Sequence, residues 1–234
     1  MALEDQLRSN VERIFTDVWK KRAGQKVPDP DDLGLGADAV TFEEATVLYA
    51  DLAESTALVT DYPAYFAAEI YKAYLDCSAR IITNKGGTIT AYDGDRIMAV
   101  FLGSYKNTSA ANAALGINHA VTKVINPMIA IKYPDYAKTF TLKQAVGIDT
   151  SSLFVARTGI RGSNDLVWVG NAANYAAKLC ALRDGAYATW ITEKVYQRLA
   201  DNAKTSKDGR SMWERMTWTT NRMIVYRSSW WRAP

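Results

Sequence analysis

Residues 89–101 read I-T-A-Y-D-G-D-R-I-M-A-V-F, two strand-like runs that meet at Asp93-Gly94, with Asp95 just after the hinge. An Asp-Gly pair between two such runs predicts a β-hairpin with a two-residue turn, because both residues tolerate a positive φ. Asp95 would then lie at the rim of a sheet. It could also do no more than solvate the end of the hairpin.

A second aspartate ends another apolar run upstream. Residues 47–56 read V-L-Y-A-D-L-A-E-S-T, which places Asp51 where a strand meets polar sequence. If this strand lies beside the hairpin, Asp51 and Asp95 converge, and paired carboxylates on rigid backbone suit a two-cation phosphoryl-transfer site. The alternative is that Asp51 and Glu54 form a helix capping box.

A third motif lies downstream. Residues 165–179 read D-L-V-W-V-G-N-A-A-N-Y-A-A-K-L, an apolar strand that meets Gly170 and continues into a helix. Asn174 and Lys178 are four residues apart and therefore share a face of that helix. Their side chains could hold a ribose oxygen and a phosphate oxygen. The alternative is an ordinary amphipathic helix with two solvated polar groups.

Together, these stretches resemble the catalytic domain of class III nucleotidyl cyclases, over about residues 41–199. The family carries F-A-D-[ILV]-x-x-[FS]-[TS], a G-G pair, G-D-x-x-M-A and G-x-x-x-N-x-x-x-R in this order. The matching residues are Tyr49-Ala50-Asp51-Leu52 with Ser55-Thr56, Gly86-Gly87, Gly94 to Ala99, and Gly170, Asn174 and Lys178.

The resemblance implies a site for two Mg²⁺ or Mn²⁺ ions, held by Asp51, Asp95 and the carbonyl oxygen of Leu52. These ions would support attack of a ribose 3′-hydroxyl on the α-phosphorus of a nucleoside triphosphate, with loss of pyrophosphate.

The resemblance also assigns the nucleotide contacts. Asn174 would orient the ribose, and Lys178 would stabilise charge on the α-phosphate. Lys178 stands where the family has Arg, and it offers a point charge without a planar fork. Arg222 and Arg227 are candidates for the β- and γ-phosphates.

The base pocket departs from the purine pattern. In purine cyclases of the family, a Lys four residues before the second metal Asp and an Asp seven residues before the catalytic Asn read the base. Those positions hold Ala91 and Val167. The sequence therefore predicts that the usual purine pocket is absent.

Hairpin geometry suggests what replaces it. With Asp93-Gly94 as the turn, Tyr92 would lie opposite Asp95 and Ala91 opposite Arg96, so Arg96 would take the side of the missing Lys. The Tyr-x-x-x-Arg pattern is similar to that of pyrimidine cyclases of the bacterial Pycsar antiphage systems. The alternative is a packed cross-strand edge. The predicted substrate contacts are Tyr49, Ala91, Tyr92, Arg96, Val167 and Trp168.

The residues leave the choice between UTP and CTP open, because an arginine only donates and both bases present acceptors. UTP is favoured, since Arg96 could also use the second carbonyl of uracil. Two other interpretations stay open: an adenylate cyclase with an atypical pocket, and an inactive nucleotide-binding scaffold dimer.

The order of strands and helices predicts an α+β sandwich, one mostly antiparallel sheet with packed helices. Residues 1–40 are predicted to be a helix and linker, and residues 41–234 the catalytic domain. Further expectations are helices at 3–18, 63–83 and 109–125, a strand pair within 142–160, a turn at 161–164, and terminal strands around 219–222.

The resemblance implies a head-to-tail homodimer, because one chain holds both halves of a site that forms between two such domains. It also implies that the cyclic nucleotide product acts on a separate effector protein.

Composition fits a cytoplasmic enzyme. The net charge of +3 over 234 residues gives no basic field for nucleic acid. No apolar run reaches the roughly 18 residues that span a bilayer, and early charges argue against a secretory signal. Cys77 and Cys180 are predicted to be reduced packing residues, and His119 is predicted to be structural.

Overall fold

The computed structural model describes residues 2–234. The strands are β1 (Lys20–Ala23), β2 (Asp38–Leu52), β3 (Thr88–Asp93), β4 (Arg96–Phe101), β5 (Gln144–Ile160), β6 (Ser163–Val169), β7 (Thr189–Thr192), β8 (Glu214–Trp218) and β9 (Met223–Ser228). The helices are α1 (Leu3–Thr16), α2 (Ser55–Asp61), α3 (Ala64–Asn84), α4 (Lys106–His119), α5 (Asn126–Lys132), α6 (Asn171–Cys180), α7 (Glu193–Gln197) and α8 (Asp201–Lys204). None of these helices has the length and apolar character needed to cross a membrane.

The chain divides into two units. The smaller unit contains residues up to Glu44 together with Ser152–Gly170, and the larger unit contains Ala45–Ser151 and Asn171–Pro234. The predicted N-terminal segment thus shares its unit with β6, which the sequence assigned to the catalytic domain.

The larger unit is built on a sheet with the strand order β3-β4-β2-β5-β7-β9-β8. The pairs β3–β4, β2–β4, β7–β9 and β8–β9 are antiparallel, whereas β5 and β7 are parallel. This architecture confirms the predicted α+β class with a mostly antiparallel sheet.

One face of this sheet carries the main hydrophobic core. Leu48, Ala50 and Leu52 alternate along β2 and are at most 2% exposed, as expected for the buried face of a strand. Helix α3 belongs to the same core, because its buried residues recur at helical spacing. It ends just before Gly86, whose φ of 81° suits a helix terminus.

Helix α6 packs on the opposite face, where Gly147 of β5 permits a close approach. A Cβ atom at Gly147 would lie 2.1 Å from the Ala176 carbonyl oxygen and 2.4 Å from the Cys180 nitrogen. The buried Leu179 packs in a cluster with Trp190 of β7. The last part of α6 is therefore fixed against β5 and β7.

In the smaller unit, β1 is parallel to β2 and β6 is antiparallel to β5. The predicted strand pair within 142–160 is wrong: β5 is one strand of 17 residues that turns into β6 at Arg161-Gly162. β5 continues through Gly147 without a turn, because this glycine permits the close approach of α6. Helix α1 has no buried residue.

Candidate active site

The hairpin between β3 and β4 turns one residue later than predicted. Asp93 pairs with Arg96, so Gly94 and Asp95 form the turn. Gly94 has a φ of 61°, and Asp95 is not among the residues with positive φ. A glycine at the first turn position with negative φ at the second is the type II′ preference, whereas the sequence prediction assumed positive φ at both residues of Asp93-Gly94.

The new register changes the neighbours of Arg96. Ala91 pairs with Met98 and not with Arg96, and a bulge at Thr90 shifts the register further along β3. Ala91 and Arg96 still share a face, but as diagonal neighbours. Tyr49 of β2 also pairs with Met98, so Ala91 and Tyr49 flank Met98 in one row across the sheet.

Asp51 lies in the next row, at the end of β2. Its neighbour Ala50 pairs with Ile97, which puts Asp51 across from Arg96. Nη2 of Arg96 lies 3.6 Å from Oδ2 of Asp51. The capping-box alternative is wrong, because α2 begins only at Ser55 and the residue before it, Glu54, makes no side-chain cap.

The two predicted metal aspartates lie near each other, Asp51 at the end of β2 and Asp95 in the adjacent β3–β4 turn. Burial, and then the charge of Asp95, raise the pKa of Asp51 above the usual carboxyl value, and Arg96 and Arg183 only partly oppose this. Burial likewise raises the pKa of the neighbouring Tyr49 hydroxyl. The two carboxylates therefore repel each other at a partly buried position, and a bound cation would reduce this repulsion.

The oxygen atoms here fit a hard divalent cation. Oδ2 of Asp95 is buried and has no hydrogen-bond partner among the described residues. Two carboxylates and the Leu52 carbonyl form an all-oxygen donor set of the kind that Mg²⁺ and Mn²⁺ prefer. Residues 2–234 contain no cluster of three or more His, Cys, Asp or Glu side chains suited to a metal. Further ligands would have to come from backbone, water or substrate.

Arg183 contacts the same oxygens, and sequence reasoning missed it. Its Nη2 donates to Oδ2 of Asp51 at 3.2 Å and to the carbonyl oxygen of Leu52 at 3.1 Å. Arg183 lies in the loop after α6, outside any motif. The packing of α6 against β5 brings this loop to the end of β2.

The predicted nucleotide contacts on α6 face outward. Asn174 and Lys178 are both exposed, and Nζ of Lys178 lies 5.9 Å from the centre of the Tyr175 ring. The buried residues of α6, including Ala173 and Ala176, occupy the opposite side of the helix. The shared face predicted from the spacing of Asn174 and Lys178 is thus observed, and it is free to meet a ligand or a second chain.

The two candidate phosphate arginines differ in their surroundings. Arg227 donates to Asp184 and, at 2.7 Å, to Glu214, and its side chain is only 16% exposed. Its guanidinium carbon also lies 3.8 Å from the centre of the Tyr187 ring. These contacts tie β9 to β8 and to the loop after α6. Arg222 is an exposed residue at the turn before β9, with a φ of 50°.

The remaining predicted base contacts are spread over the chain. Tyr92 pairs with Ile97 and is 57% exposed, so it lies on the opposite face from Arg96. Val167 and Trp168 belong to the smaller unit, on alternate faces of β6. There Val167 borders a cavity of about 180 Å³ together with Arg13 of α1.

Solved structures share this fold. A bacterial light-regulated adenylyl cyclase matches 83% of the chain with a TM-score of 0.68 and 21% identity, and the match covers 53% of that protein. The guanylyl cyclase Cya2 matches 82% of the chain, and 94% of its own, with a TM-score of 0.65 and 18% identity. No family model matches the chain. Fold and motifs define a class III nucleotidyl cyclase.

Relatives in sequence narrow this class. A uridylate cyclase of Xanthomonas perforans is 54% identical, with 99% of both chains covered. One from Burkholderia cepacia is 49% identical over 98% of both chains, and one from a Rhodovulum strain is 42% identical over 100% of this chain and 99% of its own. The chain belongs to the uridylate cyclase family.

Proposed function

We propose that the chain converts UTP into 3′,5′-cyclic UMP and pyrophosphate, with two Mg²⁺ or Mn²⁺ ions at each site. The observation that carries this proposal is the position of Asp51 at the end of β2, across from Arg96 and therefore near the turn residue Asp95. Such ions, when bound, lower the pKa of a ribose hydroxyl and neutralise phosphate charge. The names of the relatives favour UTP over CTP.

In the reaction, the ribose 3′-oxygen bonds to the α-phosphorus, and the bond from that phosphorus to the β-phosphate bridging oxygen breaks. The hydroxyl proton passes to solvent. Asn174 holds the ribose, and Lys178 stabilises the charge that develops on the α-phosphate. Losing such a donor typically costs roughly 10²–10³ in rate.

The active unit is proposed to be a head-to-tail homodimer in the cytoplasm. In one chain, Asn174 and Lys178 lie on the exposed side of α6, away from the sheet on which this helix packs. Asp51, in contrast, is only 8% exposed at the end of β2. A site that takes its aspartates from one protomer and α6 from its partner accounts for both observations. Tyr49, Ala91, Tyr92, Val167, Trp168 and Arg222 are the further proposed substrate contacts.

The role in antiphage defence is proposed from the likeness to Pycsar cyclases. The cyclic nucleotide would act on a separate effector protein.

The test is purified full-length protein with Mn²⁺ and, separately, ATP, GTP, CTP and UTP, with products resolved by chromatography and mass. Cyclic UMP from UTP is the expected product. Cyclic CMP from CTP would support the proposed reaction but contradict the choice of uracil. Cyclic AMP from ATP would contradict the proposed pyrimidine pocket. No product from any nucleotide would favour a nucleotide-binding scaffold.

Base choice is proposed to depend on Arg96, which can donate to the carbonyl oxygens of uracil. Arg96→Ala should relax the preference for UTP over the other nucleotides, measured as the ratio of kcat/KM values. An unchanged preference would place base reading elsewhere. Because Arg96 also lies beside Asp51, the variant's Mn²⁺ affinity has to be measured alongside.

A further inference from the structure

We propose that Arg183 is a substrate-binding residue that exchanges partners. It holds Asp51 and the Leu52 carbonyl until a divalent cation takes those oxygens, and it then binds the triphosphate of the nucleotide. This inference rests on the proposed metal role of Asp51 and Leu52.

Competition follows from the contacts of Arg183. A single nitrogen, Nη2, donates to Oδ2 of Asp51 and to the carbonyl oxygen of Leu52, at 3.2 and 3.1 Å. A cation that bound both oxygens would bring a second positive charge next to the same guanidinium nitrogen, and like charges repel strongly in a partly buried place. Arg183 and the cation would therefore compete for these oxygens.

Arg183 can change partners without unfolding of the chain around it, because its side chain is 38% exposed. The other terminal nitrogen, Nη1, donates to the carbonyl oxygen of Cys180 and, at 3.2 Å, to that of Leu182. These bonds to the end of α6 would keep the guanidinium near the site after Nη2 has left Asp51.

The space next to Arg183 is suited to phosphate oxygens. A cavity of about 160 Å³ is bordered by Arg183, Lys143 and Gln144, and also by the acidic residues Glu54 and Asp184. Gln144 is 6% exposed and both of its amide atoms lack a hydrogen-bond partner among the described residues. Nζ of Lys143 lies 3.8 Å from Glu54, and Asp184 is engaged by Arg227.

Arg183 also fits this role better than the arginines chosen from the sequence. The guanidinium of Arg227 is bound to two carboxylates, so its charge is already compensated. Arg183 faces a carboxylate that the cation would neutralise. A metal-bound triphosphate then offers oxygens that match a planar guanidinium.

The first measurement is Mn²⁺ binding to the full chain without nucleotide, followed by electron paramagnetic resonance. Removing the competing charge in Arg183→Gln should tighten Mn²⁺ binding by about tenfold. Arg80→Gln is the matched control, since Arg80 contacts only the exposed Asp76 on α3. It should leave the affinity unchanged.

The second measurement is binding of inorganic pyrophosphate to protein saturated with Mg²⁺, by calorimetry. Arg183→Gln should weaken this binding by about tenfold, because it removes a charged donor to phosphate. The same substitution thus shifts the two affinities in opposite directions. An unchanged Mn²⁺ affinity, or an unchanged pyrophosphate affinity, would overturn the exchange.

Failure of this inference can be told apart from failure of the metal assignment. If Asp51→Asn abolishes Mn²⁺ binding and Arg183→Gln leaves it unchanged, the metal site stands and Arg183 is a structural tie. If Asp51→Asn leaves Mn²⁺ binding intact, the metal assignment falls as well. Should Arg183→Gln fail to fold, Arg183→Lys keeps the charge without the fork, and weaker pyrophosphate binding remains the expected result.

Discussion

At the scale of single residues, Asp51 carries a charge that its own surroundings disfavour. Burial and the nearby Asp95 raise its pKa although Arg96 and Arg183 lie beside it. A raised pKa in the folded state means that the ionised carboxylate costs stability at neutral pH. This cost is the pattern expected of a residue that serves in binding rather than in stability.

Asp51→Asn should therefore abolish cyclic nucleotide formation and leave the fold intact, with a melting temperature without added metal equal to or above that of the wild type. Chromatographic product analysis and thermal melts at pH 7.5 check both parts. Asp61→Asn, at the exposed end of α2, should change neither. Retained turnover in Asp51→Asn would rule out the metal assignment.

Asp149 of β5 gives a pH-dependent test. It is 4% exposed, and burial raises its pKa above 3.8 although Thr192 donates to it at 2.5 Å. Its contribution to stability is present below its ordinary pKa and lost as the pH rises through the raised value. Asp149→Asn should raise the melting temperature at pH 7.5, and the gain should shrink toward pH 4. An equal gain at both pH values would contradict this origin.

The residue scale also shows where sequence reasoning succeeds. The Asp93-Gly94 pair between two strand-like runs locates the hairpin, because a glycine is needed at positive φ. It does not fix the turn type: placing Gly94 first in the turn instead of second moves every cross-strand partner by two residues, from Arg96 to Met98 for Ala91. The pairing of Arg96 with Ala91 was wrong for that reason.

At the scale of elements, the contact between α6 and β5 positions the proposed site. The backbone of α6 runs directly over Gly147, and the loop after α6 brings Arg183 to the end of β2. The helical spacing of Asn174 and Lys178 could be predicted from periodicity. The contact of Arg183 could not, because it depends on how closely the helix approaches the sheet.

Gly147→Ala should therefore weaken both stability and activity. Its Cβ would lie 2.1 Å from a carbonyl oxygen of α6, and such overpacking typically costs about 1–3 kcal/mol. The displaced helix would move Asn174 and Arg183 together. Gly36→Ala is the control, since a Cβ there meets nothing within 4 Å. Denaturant melts and the cyclase assay measure the two effects, and a stable, fully active Gly147→Ala would contradict this role of α6.

At the scale of the whole molecule, one chain holds two sets of proposed site residues that differ in their exposure to solvent. Asp51 and the Oδ2 atom of Asp95 are buried, whereas Asn174 and Lys178 are exposed. The motifs that carry these residues could be found in the sequence, because each has a short local spacing. Which chain completes which site is a property of the assembly and leaves no local signal.

Complementation between two inactive variants tests the head-to-tail arrangement. Asp51→Asn and Asn174→Ala should each be inactive as homodimers. In a mixed dimer, the intact Asp51 of one protomer meets the intact Asn174 of the other, so one of the two sites is restored. Random pairing makes half of the dimers mixed, and activity should therefore return to about one quarter of the wild-type value, as two-fold symmetry requires. Co-expression with two affinity tags isolates the mixed dimer, whose activity should be about half that of the wild type. An inactive mixed dimer would show instead that Asp51 and Asn174 act within the same protomer.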